Sequence, residues 1–284
     1  MSVRVASRSE WLLGKTPRTA AAPIFCEGLA LPFISDSGYI SVTGSSTIHT
    51  KGAWTQLVSS TASQSALAIL SFGNVGAAST NTSTLVDIGV GGAGSESVVI
   101  PNIAVGGYVN GPVIWVPIRI PAGSRVAARC QSLVSSKAIS VRIYLFSHTD
   151  SARCPTSVNA IGADTATSAG VALSGASGSW TEIAAATAAD FQALTLVPSS
   201  SATAGNNGNW RLSLGIGAAG SEIELMNLVA NQTANPLVQA PSGDNFAATP
   251  AGLFVPTGTR IAVRHNITSN PGRLSAMVLG VPTV

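Results

Sequence analysis

The chain has 284 residues, 45% of them apolar and only 10% charged, with a formal net charge of +3. That length supplies apolar material for two modest cores, and so few charges leave a surface of Ser, Thr, Ala, Gly and Asn that favours association. No run approaches the roughly 20 apolar residues of a membrane span, and Arg8, Glu10, Lys15 and Arg18 interrupt any secretory apolar core, so no membrane partner is expected.

Residues 1–50 read as an extended basic arm and linker. Within residues 1–18, Arg4, Arg8, Lys15 and Arg18 face the single acid Glu10, so that stretch carries the whole charge excess, and together with Trp11 they form a candidate partner-anchoring segment. Four cations are too few for a phosphate-binding footprint, which argues against nucleic acid as the partner. Later in the same segment, Tyr39-Ile40-Ser41-Val42 alternates and could add an edge strand to a module or a neighbour.

A first domain is expected over 51–148. It opens with Gly52-Ala53-Trp54-Thr55, continues through an alanine-rich stretch at 61–70, and reaches the glycine-rich Gly89-Val90-Gly91-Gly92-Ala93-Gly94-Ser95-Glu96. Without a P-loop lysine or a following helix, those glycines read as a hairpin. A strand at 113–120 lies between Pro112 and Pro121, and Pro121-Ala122-Gly123-Ser124-Arg125-Val126-Ala127-Ala128-Arg129 makes a tight turn entering another. In Ala138–Phe146, Ile139, Val141, Ile143 and Leu145 share one face, opposite Ser140, Arg142 and Tyr144.

A linker rich in Ala, Ser, Thr and Gly is expected over 149–177, and a second domain over 178–284. Gly178-Ser179-Trp180-Thr181 and Gly215-Ile216-Gly217-Ala218-Ala219-Gly220-Ser221-Glu222 repeat the first-domain segments 126 positions on. The register then slips, and Pro256-Thr257-Gly258-Thr259-Arg260-Ile261-Ala262-Val263-Arg264 repeats its counterpart 135 positions on. Three anchors in one order identify a tandem duplication. Strands are read at 192–197, 210–216, 252–255 and 273–279, and a short helical turn at 222–230. The expected fold is all-β: two tandem antiparallel β-sandwich, jelly-roll-like domains behind an extended N-terminal arm. A duplicated module presents one surface twice, which suits a repetitive partner.

The repeated residues are given structural roles. Trp54 and Trp180 are expected to fill the core edge. Arg125 and Arg129, like Arg260 and Arg264, point to one sheet face at period two and are expected to cover apolar surface or to pair with Glu96 and Glu222. Cys26, Cys130 and Cys154 show no CxxC pairing and no histidine at metal spacing. Buried thiols are the expectation; an internal disulfide, or an intersubunit one through Cys26, is the alternative. The acids are scattered and His49, His148 and His265 are isolated, so no catalytic, cofactor or metal residue is assigned and the chain is expected not to be an enzyme.

The Gly-x-Trp-Thr start, the segment from Asp87 to Glu96 and the Pro121 to Arg129 strand resemble β-sandwich modules in structural proteins of tailed bacteriophages. The second copy departs by placing Ser213 where the first has Asp87. The resemblance implies a virion protein of the tail or neck, or a capsid decoration. It would be assembled in the host cytoplasm, anchored by its arm and joined to other virion proteins and to copies of itself as a trimer or hexamer. The alternative is an adhesion module for a host surface glycan, with Trp115, Trp210 or Tyr108 stacking on sugar and the loops at 206–209 and 242–245 supplying hydrogen bonds.

Overall fold

The computed structural model describes residues 33–73, 83–106, 110–147, 154–173, 176–200, 208–232, 237–238, 254–266 and 274–284. Among these the chain is all-β. The first unit contains β1 (Phe33–Asp36), β2 (Ile40–Thr43), β3 (Thr55–Val58), β4 (Leu67–Gly73), β5 (Thr84–Val90), β6 (Ser97–Val105), β7 (Asn110–Pro117), β8 (Val126–Ser132) and β9 (Ala138–Phe146). One antiparallel sheet runs β1-β9-β4-β7, with β2 also on β9, and the other runs β3-β8-β5-β6. Period-two alternation builds the core between them. On β9 the odd-numbered residues from Ile139 to Leu145 are buried and the even-numbered ones turn outward. They meet Leu70 and Phe72 of β4, and Leu85 and Ile88 of β5, in one cluster.

The second unit contains β10 (Asn159–Ile161), β11 (Ala163–Asp164), β12 (Ala169–Ala172), β13 (Trp180–Ala184), β14 (Phe191–Ser200), β15 (Gly208–Ile216), β16 (Ile223–Gln232), β17 (Leu237–Val238), β18 (Ile261–His265) and β19 (Leu274–Pro282). Here β19 pairs with β10, β12 and β14, and the facing sheet runs β13-β18-β15-β16-β17. The order β13-β18-β15-β16 reproduces β3-β8-β5-β6, so the duplication extends to strand pairing. The architecture is two-domain and broadly jelly-roll-like.

Three local expectations change. Residues 222–230 form no helical turn: β16 pairs with β15 from Gly208 to Ile216, and that ladder satisfies the backbone in extended form. Stretches read only as linker, at 33–36 and 159–172, supply strands that pair with β9 and β19, while the edge strand expected at 39–42 forms as β2 on β9. Trp54 and Trp180 do not enter the core; each lies on the outer face of its sheet, where Gly89 and Gly215 leave room for the indole. A Cβ on Gly89 would stand 2.6 Å from Trp54 Cη2, and one on Gly215 would stand 2.5 Å from Trp180 Cη2.

The units also break the symmetry of their duplication. Val197, Met277, Leu279 and Val281, on the outer face of β14 and β19, join the core cluster of the first unit. Ala104 N–H of β6 donates to Met277 Sδ at 3.1 Å, and Val158 N–H donates to Val99 O at 3.0 Å. At the register of the repeat, the first unit has Ser71, Arg142, Tyr144 and Phe146 in those places, on a face that stays outside. One surface is therefore consumed at the joint, and the chain does not present that face twice.

Candidate binding face

The outer face of the β1-β9-β4-β7 sheet is built by register. Asp36 pairs with Tyr144, Tyr144 with Ile69, and Ile69 with Trp115, so one row crosses four strands. The neighbouring row holds Arg142, Ser71 and Val113. Strands lie about 4.8 Å apart, so Tyr144 and Trp115, two strands from each other, are separated by roughly 10 Å. Trp115 is 36% exposed and Tyr39 is 55% exposed. Tyr39, from the β1–β2 turn, lies over Gly73, and its hydroxyl is 2.9 Å from Ser71 Oγ. Phe33 closes one end of the face, edge-on to Phe146 at 5.7 Å between ring centroids.

Arg142 is the centre of the face. Its guanidinium stands 4.5 Å from the Tyr144 ring centroid and 5.5 Å from that of Tyr39. Its Nε donates to Asp36 Oδ1 at 2.8 Å and its Nη2 to Asp36 Oδ2, a two-pronged pair. Gly38 N–H also donates to Asp36 Oδ1, at 2.8 Å. The Arg142 hydrogen bond, reinforced by Gly38, lowers the pKa of Asp36 to about 2, and Asp36 in turn raises that of Arg142. Asp36 and Arg142 are the only charged residues in β1, β2, β4, β7 and β9.

The opposite sheets carry the repeated anchors. Arg125 pairs with Glu96, and Arg260 with Glu222 at 2.7 Å and with Glu182 at 2.7 Å. Arg129 stacks on Trp54 at 4.5 Å, and Arg264 on Trp180 at 4.7 Å. The acid that holds each stacked guanidinium has moved between copies. In the first, Asp87 accepts from Arg129 at 2.9 Å, from Lys51 at 2.7 Å and from Asn102 N–H at 2.8 Å. In the second, Ser213 stands at that position, and Glu224 of β16 pairs with Arg264 and accepts from Asn227.

Burial alone would raise the pKa of Glu96, but its own backbone N–H and Arg125 outweigh it and leave the carboxyl below its ordinary value. In Glu222 the same burial is outweighed by Arg260 and the backbone. A carboxyl whose pKa is depressed by folding stabilises the protein above its unfolded-state pKa, and this stabilisation is lost as pH falls through the folded-state value. Glu96→Gln and Glu222→Gln should therefore flatten the acid limb of stability below the ordinary glutamate range of about 4.3. Thermal midpoints recorded from neutral to acid pH check this, and limbs that stay parallel to the parent's would refute it.

Cys130 and Cys154 are both buried and neither is disulfide-bonded, so the bridge between them does not form. Burial pushes the Cys130 pKa up to about 11. Cys26 and the arm residues Arg4, Arg8, Trp11, Lys15 and Arg18 lie outside the described residues, as do His148, Tyr108, the side chain of Trp210 and the loop at 242–245. His49, isolated in sequence, has Nδ1 2.9 Å from Ser168 Oγ. Ser168 is fully buried and also accepts from Gln131 Nε2 at 3.1 Å, so the group joins two loops and exposes no nucleophile. Among the described residues, no cluster of His, Cys, Asp or Glu is placed to hold a metal ion, and no helix is long and apolar enough to cross a membrane.

Sequence reading singled out Trp115 for this face but missed Asp36, Tyr39, Arg142 and Tyr144 as a group. The available signal was the outward set Ser140, Arg142 and Tyr144, which β19 does not repeat.

No protein-family model and no curated protein matches the chain. Among solved structures, PNGase F, a glycosylasparaginase from Flavobacterium meningosepticum, is similar with a TM-score of 0.28 and 10% identity, over 93% of this chain and 94% of that one. A peptide-N(4)-(N-acetyl-β-D-glucosaminyl)asparagine amidase gives a TM-score of 0.29 and 9% identity, again over 93% and 94%. Recombinant peptide:N-glycanase F gives 0.26 and 8%, over 93% of each. None of the three is a virion protein, so the comparisons give the expectation of a non-enzymatic tailed-phage structural protein no support. At this level the likeness carries no catalytic residue and no substrate over to this chain.

Proposed function

We propose that the chain recognises carbohydrate through the outer face of its β1-β9-β4-β7 sheet. The observation that supports the reading is the row from Tyr144 to Trp115, flanked by Tyr39 and the Arg142–Asp36 pair, in a chain with only 5% aromatic residues. Aromatic rings carried by strands of one sheet offer apolar faces to the C–H side of sugar rings. The hydroxyls of Tyr39 and Ser71 and the charged pair offer donors and acceptors to sugar hydroxyls. The roughly 10 Å between Tyr144 and Trp115 is a span that a disaccharide covers. The reading takes the chain as tandem antiparallel β-sandwiches over 51–148 and 178–284, each extended by strands from the segment before it. Only the first keeps the recognition face.

The test is calorimetry of the full chain and of Trp115→Ala against soluble oligosaccharides, with light scattering in parallel. Loss of a stacking ring worth about 1.5 kcal/mol weakens binding by about tenfold. Binding that Trp115→Ala leaves intact would sink the reading. So would a parent that ignores every sugar and forms a dimer abolished by the same substitution, because a second copy would then cover the face.

A further inference from the structure

Resting on that reading, we infer that the face takes uncharged glycan chains and discriminates against those bearing carboxylates. Arg142 is the only cation that the strands of this sheet supply, and its Nε and one Nη are held by Asp36. Asp36 already sits on the Nε–Nη2 fork with the charge and geometry of an incoming carboxylate, so a second carboxylate is left the outer Nη N–H groups beside a like charge. Displacing Asp36 would also give up the Gly38 N–H bond to Oδ1 at 2.8 Å. Asp36 stays ionised through neutral pH because its pKa lies at about 2. A like charge brought beside it is repelled, and a juxtaposition of that kind discriminates between ligands. Neutral hydroxyls meet no such obstacle. They can accept from the remaining Arg142 N–H groups and donate to the outer lone pairs of Asp36 without breaking the pair.

The face is therefore a neutral aromatic platform, in which the arginine is fixed by its acid and by two tyrosine rings. Arg142 stacks on Tyr39 and Tyr144, and with its charge balanced by Asp36 the pair offers no net positive site for an anion. The second unit does not restore one, since the counterparts of Arg142 and Tyr144 are Met277 and Leu279, buried at the joint between the units.

The experiment titrates the full chain with neutral tetrasaccharides (cellotetraose, chitotetraose, maltotetraose) and with acidic probes (tetragalacturonate, sialyllactose), and repeats the set with Asp36→Asn. The parent is expected to bind at least one neutral chain and to bind the acidic probes about tenfold or more weakly. Asp36→Asn keeps the shape and removes the competing charge, so it should narrow the parent's neutral-to-acidic affinity ratio by about tenfold. Parent binding of tetragalacturonate as tight as of the neutral chains overturns the inference and leaves the carbohydrate reading standing. Binding of no sugar overturns both. Should Asp36→Asn fail to fold, as circular dichroism would reveal, the parent's neutral-to-acidic ratio alone decides.

Discussion

Leu279→Asp is expected to abolish the docking of the two units and to cost more than about 4 kcal/mol, because it places an unpaired carboxylate in a closed apolar joint. Leu279 is fully buried and, with Met277, Val281 and Val197, belongs to the first unit's core even though it lies on the last strand of the second. The milder Leu279→Ala should cost about 2–5 kcal/mol by leaving a cavity. The duplication supplies an internal control. Tyr144 occupies the same repeat position on β9 but faces outward, so Tyr144→Asp should cost less than about 1 kcal/mol. Urea unfolding followed by tryptophan fluorescence separates the two. Equal effects of Leu279→Asp and Tyr144→Asp would show that the joint contributes nothing to stability.

Asp87→Ser should destabilise the first unit by about 3–5 kcal/mol, although serine is the residue the second unit uses at that position. The Asp87 side chain is 4% exposed and accepts from both Lys51 and Arg129. Without it, Lys51, 17% exposed, keeps only Leu85 O at 3.3 Å as a described partner. Desolvation already lowers the pKa of Lys51, so a charge left without its acid is the costly state. The second unit tolerates Ser213 because Ser177 stands at the repeat position of Lys51 and Glu224 holds the stacked arginine instead. Removing both partners, as in Lys51→Ser with Asp87→Ser, should recover about 1–3 kcal/mol relative to the sum of the single changes. Strict additivity in chemical denaturation would show that the pair is not coupled.

The site was less legible than the fold. Asp36 and Arg142 are 106 residues apart, and Tyr39 and Ser71 are 32 apart, so nothing in local spacing joins them. They meet because β1 and β4 both pair with β9, and register is settled by which side chains are buried when the sheet closes. The migration of the acid from Asp87 to Glu224 was hidden for a related reason. The two residues lie on different strands, and only the pairing of Gly215 with Glu224 brings the second acid beside the stacked arginine.

By itself the sequence determined that the chain is a duplication built from strands, because repeat anchors and period-two alternation are local properties that survive without any knowledge of contacts. It also determined which residues share a face: Ile139 to Leu145 on one side of β9, and Ser140, Arg142 and Tyr144 on the other. Only the tertiary structure decided which faces meet solvent. The outer face of β19 is closed against β6 through Met277, and the equivalent face of β9 is open, with Tyr39 and Trp115 exposed and Tyr144 half-buried. Whether an outward face is covered depends on contacts between segments as far apart as Ala104 and Met277, which are separated by 173 positions, and on how the two units dock.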